Sequence, residues 1–128
     1  MTAATKIYTP KDTEIPKAYG QLRSLNVSAA NAIIALQMGA EELYAAGDDE
    51  AGAAFIQKSH DIAAAMTAIH RVRARLRSKK SLMGPISALD AITHDARTAS
   101  AQMRKLARTL NGAARLIDAL RRLADLVV

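Results

Sequence analysis

From residue 17 onward, alanines and large aliphatic residues recur at alternating three- and four-residue steps, the period of one face of an α-helix. The first run is Leu22, Leu25, Ala29, Ala32, Leu36, Gly39 and Leu43, widened by Ile33, Ile34 and Ala40. It predicts a helix from about Lys17, just after Pro16, to Ala46. Gly39 sits on the seam at a propensity cost of about 1 kcal/mol against alanine, tolerable if a neighbouring backbone comes close. The stretch AAGDDEAG at 45–52 punctuates the end of this helix. Gly47 suits the left-handed C-terminal position. Asp48 or Asp49 can cap the next helix, and Glu50 is favourable in its first turn. Capping accounts for every acidic residue there, so the cluster is not read as a metal site.

The second run is Phe55, Ile62, Ile69 and Leu76, a strict seven-residue repeat flanked by Ala65, Met66 and Val72. Ser59 and Arg73 occupy alternate positions that are usually apolar. A helix from about Asp49 to Ser81 is expected. Its end reads HRVRARLRSKKS (70–81), where Arg71, Arg73, Arg75 and Arg77 repeat with the period of a strand. At about 100° per residue, the arginines flank a narrow apolar stripe of Ile69, Val72 and Leu76 on both sides. That stripe is in phase with the residues upstream, so the spacing predicts a continuous helix, not a basic strand. Gly84 and Pro85 mark a stop and a restart, and Ser87 with Asp90 resembles a shifted capping box.

The third run is the longest: Leu89, Ile92, Ala96, Ala99, Met103, Leu106, Leu110, Ala113, Ile117, Leu120, Ala124 and Val127. It makes about six heptads of seam. Thr93, Ser100, Ala107, Ala114, Leu116 and Leu123 widen it beyond what a two-stranded coiled coil needs, which favours a bundle. Asn111-Gly112 is a good turn dipeptide, but the unbroken phase across it favours one helix. The fold class expected is all-α: an antiparallel, up-down-up bundle of three long helices, four if the last breaks at Gly112. Residues 1–16, interrupted by Pro10 and Pro16, form an irregular arm, and residues 17–128 form a single helical domain. A third helix of that length outruns its partners by about 15 Å. Leu116, Ile117, Leu120, Leu123, Leu126 and Val127 lie in the outrun. They form a candidate self-association site, which makes the chain a homo-oligomer unless Ile7, Tyr8 and Ile15 of the arm cover them.

Composition supports helices over sheets. The 128 residues suffice for one domain. Half are hydrophobic, yet only Tyr8, Tyr19, Tyr44 and Phe55 are aromatic. The absence of cysteine excludes disulfides, thiol catalysis and zinc–thiolate sites. It fits a reducing, cytoplasmic location. The N-terminus lacks an apolar signal-peptide core, and no window is long and apolar enough for a membrane span. No glycine-rich phosphate loop and no Glu-x-x-His motif is present. His60, His70 and His94 fall off the seams. No catalytic residue, cofactor or metal ligand is indicated, and a non-enzymatic protein is expected.

Charge is the remaining signal. The net charge is +6, and the excess lies beyond residue 48. Arg71, Arg73, Arg75, Arg77, Lys79 and Lys80 end the second helix. Arg97, Arg104, Arg108 and Arg115 share the outer face of the third, continued by Arg122 and interrupted by Asp118 and Asp125. Cations at a helix C-terminus are favourable in themselves, so part of this is a solvated face. The rest suits an acidic protein or nucleic acid. Without aromatic platforms or helix-turn-helix spacing, nucleic acid would be held by phosphate contacts of little sequence specificity. The leading expectation is an interaction or scaffold protein assembling through helix faces. A basic nucleic-acid accessory protein is the alternative. A peripheral membrane binder using the C-terminal segment around Arg121 and Arg122 is a third.

Overall fold

The structure, a computed structural model, describes residues 8–127. Its helices are α1 (Ile15–Ala45), α2 (Asp49–Ala65), α3 (Thr67–Arg77), α4 (Ala88–Gln102) and α5 (Thr109–Ala124), with short 3-10 turns at Leu106–Arg108 and Asp125–Val127. Among the described residues there is no strand, only an isolated antiparallel bridge between Tyr8 and Leu82. Only Met66 separates α2 from α3, and its backbone (φ −64°, ψ −16°) stays in the helical region. The two therefore act as one rod, and four rods pack against one another. α1 lies along α2 and α4, and α5 lies along α4 and across α2 and α3. Lys17 pairs with Asp90 at 3.5 Å and Arg97 Nε donates to Ser24 Oγ at 2.9 Å, so α1 and α4 run side by side in one direction.

The first two seams are buried as their spacing predicts. Leu22, Leu25, Ala29, Ala32 and Leu36 of α1 meet Phe55 and Ile62 of α2 and Ile69, Val72 and Leu76 of α3 in one core. Ser59, polar on that seam, is satisfied because its hydroxyl donates to the Ile56 carbonyl at 2.6 Å. Gly39 makes room for side chains rather than a backbone: a Cβ there would stand 2.7 Å from the Phe55 ring and 3.1 Å from Leu106.

The C-terminal ends of α1 and α3 use the same device. After α1, Gly47 takes φ +83°. Its N–H donates to the Tyr44 carbonyl (3.0 Å), and that of Asp48 donates to the Leu43 carbonyl (2.8 Å). The Asp48 carboxylate then caps α2 by accepting from Ala51 N–H at 3.2 Å. After α3, Lys79 occupies the equivalent place at φ +54°. Its N–H donates to Leu76 (3.1 Å), and that of Lys80 donates to Arg75 (2.9 Å). Both are Schellman caps, one with glycine at the left-handed position and one with lysine. The arginine run is helical throughout, although α3 ends at Arg77 and not at Ser81.

The third helix is corrected. It is neither continuous nor broken at Gly112. The chain leaves α4 at Met103, turns through Leu106–Arg108 and reverses into α5, which packs back along α4. Thr109, buried, closes the turn: its hydroxyl lies 3.1 Å from the Met103 carbonyl and 3.0 Å from that of Lys105. The first carbonyl belongs to the residue that ends α4; the second also accepts the Arg108 N–H at 2.9 Å. Gly112 lies within α5 because the two helices nearly touch there. A Cβ would fall 2.8 Å from the Ala99 carbonyl oxygen and 2.6 Å from Met103 Cγ.

The reversal removes the outrun. Leu116, Ile117, Leu120, Leu123 and Leu126 are buried in the chain's own core, and Val127 is half-buried against it. Among the described residues, the apolar overhang that motivated self-association at these six positions is absent, and so is an exposed apolar C-terminal face for a membrane. Of the arm residues expected as a cover, Ile7 lies outside the described residues. Tyr8 pairs with Leu82 through both backbone hydrogen bonds (2.9 and 2.7 Å), and Ile15 begins α1.

Candidate interaction surface

The candidate polyanion residues do not form one surface. Arg71, Arg73, Arg75, Arg77, Lys79 and Lys80 gather at the end of α3. Arg75 is committed to structure, with Nε and Nη2 both on the Ser81 carbonyl (3.0 and 2.6 Å). Lys79 lies 3.8 Å from Asp12. Arg71, Arg75, Ser78, Lys80 and Val127 line a recess of about 250 Å³. Arg97, Arg104, Arg108 and Arg115 are spread by the reversal over α4, the turn and α5. Arg97 reaches α1 through Ser24. Arg115 Nη1 donates to Gln102 Oε1 across the α4–α5 hairpin at 3.3 Å, and farther along Arg122 Nη2 meets Asp95 at 2.6 Å. The straight basic stripe expected of one long helix is thus folded in two, and part of it ties helices together.

A different surface emerges on α1. At about 100° per residue, Val27 and Met38 fall within roughly 40° of Ile34, on the side opposite Leu25, Ala32 and Leu36. All three are exposed: Val27 and Ile34 at 52 % and Met38 at 65 %. Asn31 stands among them. Beside them the α4–α5 turn brings up Leu106, 41 % exposed. Between the helix and the turn runs a cleft of about 380 Å³ lined by Asn31, Ile34, Met38, Met103 and Leu106, with Glu42 and Arg104 also on its lining. The sequence held a signal for it. Val27, Asn31, Ile34 and Met38 follow 4-3-4 steps, a second seam on α1 masked by the first, of which only Ile34 stands out in the sequence, as a widening of that first seam.

Among the described residues no group of three or more His, Cys, Asp or Glu could hold a metal ion. His60, His70 and His94 are exposed. Among the described residues no helix is long and apolar enough to cross a membrane. No protein-family model, no curated protein and no solved structure matches the chain.

Proposed function

We propose that the protein is a non-enzymatic interaction or scaffold protein that assembles through a helix face, and that the outer face of α1 is that surface. The observation that supports this is the exposure of Val27, Ile34 and Met38 in one row on the longest helix. The remaining large aliphatic residues mostly close on a shared core. Large apolar side chains exposed singly are ordinary; in a row beside a cleft they favour a partner. A photo-crosslinking residue in place of Met38, introduced in the cell of origin, tests the reading. It should give discrete protein adducts, whereas the same residue in place of exposed Ala63 on α2 should give none. Equal or absent labelling at the two positions would count against it.

A second reading, a basic accessory protein that binds nucleic acid through phosphates, is favoured by the α3 end. Arg71, Arg73 and Arg77 there have no hydrogen bond or ion pair among the described residues. If it holds, generic duplex DNA should be shifted at about 50 mM salt, where phosphate contacts are strongest, and Arg73→Glu with Arg77→Glu should weaken the shift. No shift by wild type at that salt would eliminate this reading.

A further inference from the structure

We infer that the outer face of α1 pairs with the same face of a second copy of this chain, the two helices running antiparallel about a two-fold axis. This rests on the reading that the protein assembles through a helix face, and it names the partner. The face has a polarity that selects its own copy. Arg23 lies at its N-terminal end and Glu41 at its C-terminal end, both exposed and on the same side of the helix as Ile34. Neither has a hydrogen bond or ion pair among the described residues. Between them, from Ser24 to Ala40, α1 carries no charged residue.

Laid antiparallel with Val27 opposite Met38 of the second copy, the face matches along its length. Asn31 then comes opposite Ile34 of the second copy, near the axis, and Arg23 meets Glu41 at both ends. A two-fold axis makes each of these contacts twice. A parallel pairing would instead set Arg23 on Arg23 and Glu41 on Glu41, so charge decides the direction as it does in helix pairs generally. Asn31 beside the axis is a polar group on an apolar seam, the usual device for fixing register. Arg23 and Glu41 are about 27 Å apart along the helix at ~1.5 Å per residue. A face of that length and one helix wide, extended by Leu106, is at the small end for a stable interface. The pair is therefore a weak, concentration-dependent dimer.

Sedimentation equilibrium of the purified full chain over about 1 to 100 μM tests this directly. Wild type should pass from monomer mass toward dimer mass. Ile34→Glu with Met38→Glu should stay monomeric throughout, with helicity by circular dichroism equal to wild type. Arg23→Glu alone and Glu41→Lys alone should each weaken the dimer about tenfold, because each reversal spoils two exposed pairs. The two combined should recover to within about threefold of wild type. Because the chain has no cysteine, Asn31→Cys should oxidise to a disulfide-linked dimer, whereas Arg23→Cys, far from its own copy, should not. A wild type that remains monomeric at about 100 μM overturns the inference. So does a dimer indifferent to the charge reversals. If either occurs while Met38 still gives adducts in the cell, the helix-face reading stands with a different partner. If the adducts are also missing, that reading falls too.

Discussion

α5 and α1 each carry an apolar stripe at helical spacing, and they have opposite fates. The stripe of α5, from Ala113 to Leu123, is buried because the chain doubles back and lays it on α4, α2 and α3. The outer stripe of α1, from Val27 to Met38, is left in solvent because α1 already spends its other side on the core. Spacing alone cannot tell the two apart. What decides is whether another element of the same chain can reach the stripe, and that depends on where the chain turns.

Substitutions on the two stripes should therefore differ in kind. The largest effect is expected inside. Leu120→Ala removes a side chain buried among α5's neighbours and should cost about 3–4 kcal/mol of unfolding free energy in urea denaturation. A loss under about 1 kcal/mol would mean that α5 does not pack as described. Next is Gly112→Ala, where the added methyl meets a backbone carbonyl at 2.8 Å. It should destabilise by about 2 kcal/mol, an overpacking effect, although alanine is the better helix former. A stabilised Gly112→Ala would return the close α4–α5 crossing to question. A smaller effect of opposite sign is expected at Lys79. Its φ of +54° suits glycine better, so Lys79→Gly should stabilise by about 1 kcal/mol, read as a raised denaturation midpoint. The smallest is outside. Ile34→Gln with Met38→Gln should leave the stability of the monomer within about 0.5 kcal/mol of wild type. A large loss there would show that this face is core.

Where local chemistry determines structure, the sequence was legible. α1, α2 and the turn between them follow from Gly47, the Asp48 cap and two clean seams, and the helical phase of Ile69, Val72 and Leu76 carried through the arginine run. The α4–α5 reversal was not legible, for a physical reason. Met103 to Arg108 contains no glycine, proline or other breaker, and most of its residues are good helix formers. The three-four spacing also runs on across it through Leu106 and Leu110, although both are exposed, at 41 % and 38 %. The two residues that make the reversal possible, Thr109 and Gly112, act through groups on α4 and the turn that follows it. Thr109 closes on the carbonyls of Met103 and Lys105, and Gly112 lies against the Ala99 carbonyl. Asn111-Gly112 invited a turn at the wrong place because glycine permits close approach as readily as it permits a turn. Missing the reversal left Leu116 to Val127 as an apparent overhang and straightened a basic stripe that is in fact folded.

The chain closes its C-terminal stripe on itself and leaves an apolar row on the outer face of α1 in solvent. The most direct test is the distance between Ala91 on α4 and Arg121 on α5, both exposed. Replaced by cysteines in this cysteine-free chain and spin-labelled, they can be measured by pulsed electron resonance after dilution with unlabelled protein. A hairpin places them under about 25 Å apart, allowing ~8–10 Å between packed helix axes plus the label arms. One continuous helix would separate them by about 45 Å, and a distance distribution centred there would contradict the account.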